Sequence, residues 1–174
     1  MIILINGASH TGKTKLAQEL LEKYHYPYLS IDHLKMGLIR SKQTNLTPLD
    51  DDLLIDYLWP IVKEIIKTAI ENNQNLIIEG CYIPHNYKDY FENNYLDNIK
   101  YYCIIMTKDY ILKNVDKIKE YRNVIEDRLI DEIDVSSLIK DNEYNLEQSI
   151  KYNNEYILIN NEYINLSDID IKIR

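Results

Sequence analysis

Along this chain, short unbroken apolar runs alternate with longer stretches of helical spacing. Residues 1 to 5, Met-Ile-Ile-Leu-Ile, form a continuous run that stops at Asn6-Gly7, the pattern of a strand buried on both faces of a parallel sheet. Past the next loop, Leu16, Leu20 and Tyr24, with Ala17 and Leu21 beside them, recur at helical spacing while Lys15, Gln18, Glu19, Glu22 and Lys23 face away. Pro27 ends that helix. Tyr28 to Ile31 read as a second strand delivering Asp32 at its carboxyl end, where Asp32 can also cap a short helix through Ile39.

The acidic cluster Asp50 to Asp52 suits the start of a longer helix, in which Leu54, Leu58, Ile61, Val62, Ile65, Ile66 and Ala69 keep the period and Pro60 introduces a bend. Asn72-Asn73 stops it. A third strand, Asn75 to Glu79, meets Gly80, and a Tyr-rich helix leads to a fourth, Ile99 to Met106. Lys108 to Glu132 and Ser136 to Tyr152 read as helices, and Tyr156 to Ile159 as a last core strand. Tyr163 to Arg174 fits an edge strand or a short helix. Alternating strands and helices predict an α/β fold in three layers, with a mostly parallel five-stranded sheet and ligands at the carboxyl ends of its strands.

The 174 residues suit one domain, 1–174, and 45% hydrophobic with 28% charged residues is a globular composition. A formal net charge of −8 argues against bulk nucleic-acid binding or docking on an anionic membrane, both of which need a broad basic surface. It leaves room for a small phosphate-bearing ligand held by a few placed cations. The opening apolar run lacks a basic flank and is too short for a leader or a span, so the expected location is cytoplasmic. Cys81 and Cys103 are too few and too far apart for a zinc site or a disulfide framework.

Residues 7 to 14, Gly7-Ala8-Ser9-His10-Thr11-Gly12-Lys13-Thr14, match G-x-x-x-x-G-K-[ST] at every defined position, between a predicted strand and a predicted helix. This is a phosphate-binding loop, or P-loop. Its glycines let backbone N–H groups turn inward at a helix N-terminus, where the dipole favours an anion. Lys13 adds a point charge for the outer phosphates, and Thr14 offers a hydroxyl to Mg²⁺. Two of the chain's four glycines sit in this loop, so the fold expectation becomes a P-loop NTPase fold that binds ATP with Mg²⁺. The D-x-x-G and base-reading motifs of a GTPase are missing, as is an apolar run ending in Asp of the kind large ATPase motors carry.

With the loop near residue 1, Asp32 after the second strand, Arg40 soon after, Ile-Ile-Glu-Gly at 77 to 80 and an Arg-containing segment beyond the fourth strand, the chain resembles the adenylate-kinase-like P-loop small-molecule kinases. Within that group it looks closest to the zeta-toxin and chloramphenicol-phosphotransferase branch and to bacterial 2-phosphoglycerate kinase-like proteins, over about the first 130 residues. The resemblance implies an ATP-dependent kinase acting on a small-molecule phosphoryl acceptor, Asp32 as general base or acceptor anchor, and a helical lid at 108–132 whose Arg122 and Arg128 reach the transferring phosphate. Tyr82-Ile83-Pro84, after Gly80, matches no known substrate signature.

Each candidate also has a plainer role. Asp32 can be a helix cap. Glu79, at the end of a buried strand, can hold the waters of Mg²⁺ or simply close that strand. Among 20 basic residues only Arg40, Arg122, Arg128 and Arg174 are Arg, and the planar guanidinium suits bidentate phosphate contacts; Arg122 and Arg128 can equally pair with acids on their own helix. Tyr82 can line an acceptor pocket or pack in the core, and the four histidines lack metal-ligand spacing. A kinase is the expected function; the alternative is a nucleotide-binding regulator or simple NTPase without a small-molecule acceptor.

Overall fold

The structure, a computed structural model, describes residues 1–121 and 134–161. Five strands form one parallel sheet in the order β2-β3-β1-β4-β5: β1 (Ile2–Gly7), β2 (Tyr28–Ser30), β3 (Leu76–Glu79), β4 (Ile99–Met106) and β5 (Tyr156–Ile159). β1 lies at the centre, pairing Ile5 with Glu79 on one side and Gly7 with Ile104 on the other. Its residues Ile2 to Ile5 are fully buried on both faces, as the unbroken apolar run requires. Each such side chain contributes roughly 1.5–3 kcal/mol of burial.

Strand alternation splits the core in two. Leu4, Ile78, Tyr101, Cys103 and Ile105 face a layer built on α3 (Asp51–Glu71), whose Leu54, Leu58, Val62 and Ile66 are buried. Ile3, Ile5, Ile77, Ile104 and Met106 face α1 (Lys13–Tyr24) and α5 (Lys108–Tyr121) through Leu16, Leu20, Tyr110 and Ile111. α2 (Ile31–Arg40) and α4 (Asn93–Leu96) complete the first layer, and α6 (Val135–Lys151) packs on β4. These are the three expected layers. No helix among the described residues is long and apolar enough to cross a membrane.

α3 continues through Pro60, as expected of a proline that does not end the helix. The structure differs from the sequence reading in three places. The Tyr-rich segment is a 3-10 turn, Tyr87–Tyr90, and the single turn of α4, separated by Phe91, whose extended backbone (φ −130°, ψ 144°) interrupts a continuous helix. α2 starts at Ile31, so its N-cap is Ser30 and Asp32 lies inside the first turn. In the expected lid, α5 buries Tyr110, Ile111 and Ile118 with a kink at Asn114, so its start belongs to the packed body; residues 122–132, with Arg122 and Arg128, lie outside the described residues.

Candidate functional site

The loop after β1 takes its shape from backbone positions that few residues tolerate. Gly7 has φ 142°, and a Cβ there would lie 2.5 Å from the Ile104 carbonyl oxygen. His10 and Gly12 are left-handed, at φ 64° and 88°. The Ala8 carbonyl gathers the loop by accepting from Thr11 Oγ1 at 2.9 Å and from Lys13 Nζ at 2.7 Å. Leu16 N–H makes the first intrahelical bond of α1, to Gly12 O, so the N–H groups of Lys13 and Thr14 precede the ladder and stand at the positive end of the helix dipole.

Lys13 is buried. Burial opposes its charge, but Cys81, Glu79 and Asp32 surround it and together hold its pKa above the ordinary lysine value. Acidic and polar groups from β3, the following loop and α2 therefore converge on the P-loop ammonium. Glu79, itself buried, sits at the end of β3 in register with Ile5 of β1 and Ser30 of β2. Among the described residues no group of three or more His, Cys, Asp and Glu gathers to hold a metal ion. A cation beside Thr14 and Glu79 would therefore draw most of its oxygens from a bound phosphate chain and water, the usual arrangement for Mg²⁺.

From the mouth of the loop, at Gly7, Ala8 and Ser9, a cleft of about 1070 Å³ extends past Asp32, Lys35 and Tyr82 to Asp51 on α3 and to Asp141, Tyr144 and Asn145 on α6. Lys35 Nζ donates to Asp32 Oδ1 at 2.6 Å and to the Tyr82 hydroxyl at 2.8 Å, and that hydroxyl donates to Asp51 Oδ1 at 2.9 Å. Desolvation is the main reason the Tyr82 phenol titrates far above the usual tyrosine range, helped by its bond to Asp51 and by Asp32. The phenol is a fixed relay of hydrogen bonds, not an acid. The sequence-derived candidates do not include Lys35; its three-residue offset from Asp32 on one helix is the signal that could have found it.

Under the loop lies a second polar chain. Asn6 Oδ1 accepts from Gly7 N–H at 2.8 Å, and its Nδ2 donates to Ile83 O and to the Tyr101 hydroxyl, both at 2.9 Å. The Tyr101 hydroxyl is 3.4 Å from His85 Nδ1, and His85 Nε2 is 2.9 Å from Asn145 Oδ1. This ties the start of the P-loop to the wall formed by residues 81–86. Burial lowers the His85 pKa against a weaker opposing pull from Asn145, so its imidazole is neutral at pH 7.

Of the sequence-derived candidates, Gly7, Ala8, Ser9, Asp32 and Tyr82 line this cleft, and Lys13 and Glu79 adjoin it electrostatically. Thr14 is half-buried in the first turn of α1. Arg40 does not join them. It is exposed at the last position of α2, eight residues beyond Asp32, or about 12 Å along the helix, and it does not line the cleft.

No protein-family model matches the sequence, and no curated protein matches it. Solved structures do share the fold. An uncharacterized protein from Eubacterium ventriosum is 17% identical, with 99% of this chain and 96% of that one covered at a TM-score of 0.54. Deoxyadenosine kinase from M. mycoides is 17% identical, with 95% and 93% covered at a TM-score of 0.52. A sugar kinase from Janibacter is 14% identical, with 91% and 84% covered at a TM-score of 0.52. The chain therefore has the three-layer α/β fold of P-loop kinases.

Proposed function

We propose that this chain is an ATP-dependent kinase that transfers the γ-phosphoryl group to a hydroxyl of a small-molecule acceptor. The observation that carries the reading is the convergence of Asp32 and the P-loop lysine on one cleft: Asp32 is near enough to Lys13 to raise its pKa, and both Asp32 and the loop's Gly7, Ala8 and Ser9 line the same wall. A nucleotide-binding switch needs the loop. It does not need a carboxylate, an ammonium and a phenol arranged beyond the loop in a cleft large enough for a second molecule. Solved kinases of a deoxynucleoside and of a sugar with the same fold support the reading, as does the resemblance to the zeta-toxin branch.

In this reading the P-loop amides and Lys13 hold the nucleotide phosphates, with Thr14 and Glu79 as the Mg²⁺ side, where the metal would neutralise phosphate charge. Asp32 accepts the acceptor's hydroxyl proton as that oxygen bonds to the γ-phosphorus; the bond to the β,γ-bridging oxygen breaks and ADP leaves with its electron pair. Lys35 and Tyr82 hold Asp32 in place, and the pre-set geometry supplies most of the acceleration. Arg122 and Arg128 remain the proposed lid contacts to the moving phosphoryl group. The test is a panel of sugars, nucleosides, amino alcohols and acids assayed for ADP release from Mg-ATP. At least one compound should raise the rate well above the acceptor-free background. ADP release at the same rate with every compound and with none would instead mark a simple NTPase.

A further inference from the structure

Three helices line the acceptor end of the cleft with charged groups: α2 with Asp32 and Lys35, the first turn of α3 with Asp51, and α6 with Asp141. Lys35 is held between Asp32 and Tyr82, at 2.6 and 2.8 Å, so its charge offsets that of Asp32. Asp51 and Asp141 stay as the net charge of this end. They feel one another: burial first, then Asp51, pushes the Asp141 carboxyl above the usual carboxylate range. His85 on the same wall is kept neutral by burial. Met36, Ile55 and Ile83 give the cleft an apolar side.

We infer, on the basis of the phosphoryl-transfer reading, that the acceptor is a hydroxyl compound without phosphate or carboxylate, neutral or amine-bearing, its polar groups facing Asp51 and Asp141. An acceptor carrying its own anion would enter beside two carboxylates and against the triphosphate held on the P-loop. Recognition of such an anion calls for a guanidinium or an available ammonium. The described lining contains no arginine, and its one lysine is engaged by Asp32 and Tyr82. An ammonium or a hydroxyl donor gains from the same two carboxylates and leaves Lys35 in place.

The test uses two matched sets: glucosamine, glucose and glucose 6-phosphate; 5′-amino-5′-deoxyadenosine, adenosine and AMP. Each is titrated into the full chain with Mg²⁺ and a non-hydrolysable ATP analogue, and binding is read from NMR shifts of Tyr82, Ile83 and Tyr144. In at least one set the amine and neutral members should bind about tenfold or more tighter than the phosphate, the scale expected for two partly screened carboxylates. An Asp51→Asn, Asp141→Asn double variant should shrink that ratio to about threefold or less. A phosphate member that binds as well as its neutral partner, a ratio unchanged in the double variant, or no response in either set overturns the inference. ADP release from the same compounds with ATP reads transfer separately. The expected binding order without any ADP release would refute the kinase reading and uphold the charge selection, whereas turnover of a phosphate member would do the reverse.

Discussion

Lys35 Nζ and Asp32 Oδ1 lie 2.6 Å apart, joined across three residues of α2, and this ion pair fixes the carboxylate that faces the P-loop. Asp32→Asn keeps the side-chain shape and can still accept from Lys35, but it cannot take a proton. General-base assistance contributes about 10²–10⁴-fold in rate, so acceptor-dependent turnover should fall by that factor while Mg-ATP affinity stays within about twofold. Stability should fall by no more than about 1 kcal/mol, the scale of a partly exposed pair. Steady-state kinetics with calorimetry on the same variant checks all three values; near wild-type turnover would reduce Asp32 to a structural residue.

The glycines separate loop geometry from helix propensity. At Gly7 a Cβ would meet the Ile104 carbonyl oxygen at 2.5 Å and Thr11 Oγ1 at 3.0 Å, on backbone with φ 142°. Gly7→Ala should destabilise the fold by about 2 kcal/mol or more and reduce nucleotide affinity, because the loop can relieve the clash only by leaving β4. At Gly37, inside α2, an added methyl group would have nothing within 4 Å. Gly37→Ala should therefore stabilise by about 0.5–1 kcal/mol through helix propensity, with nucleotide affinity unchanged. Urea unfolding of the two variants should show shifts of opposite sign.

His85 links the P-loop foot to α6, and burial holds its pKa below the ordinary histidine value. The unfolded chain therefore binds this proton more readily than the folded one. The resulting stability is complete above the unfolded pKa, about 6.5, and is lost as pH falls through that value toward the lower folded pKa. His85→Gln should flatten stability against pH between about 7 and 5 relative to wild type. Denaturant midpoints at several pH values read this directly, and parallel curves for the two proteins would assign the acid sensitivity elsewhere.

The elements that the sequence disclosed most clearly are those whose side chains face one environment. Ile2 to Ile5 and, in the fourth strand, Tyr101 to Met106 are apolar on both faces because both faces are covered, and the P-loop is legible because its glycines and lysine answer to local backbone geometry. The acceptor end is different. Asp51 was legible only as a helix-start charge, yet it accepts from Tyr82, 31 residues away. His85 carried no spacing signal, since its partners Tyr101 and Asn145 come from a strand and a helix far along the chain. Asp141 joins the cleft only because α6 packs against β4. Arg40 stood out by scarcity, but α2 carries it away from the cleft, a consequence of helix length that composition cannot show.

The most direct test is titration calorimetry of Mg-ATP into the wild-type chain and Lys13→Ala, with circular dichroism to establish that both are folded. In the proposed nucleotide complex the buried Lys13 ammonium, held above its ordinary pKa by Cys81, Glu79 and Asp32 against the cost of burial, would give up its bond to the Ala8 carbonyl to meet the phosphates. Charged hydrogen bonds of this kind contribute about 1.5–3 kcal/mol, so affinity should fall about 10- to 100-fold in the variant. Equal Mg-ATP affinity in two folded proteins would contradict the assignment of Gly7 to Thr14 as the nucleotide site and, with it, the kinase reading.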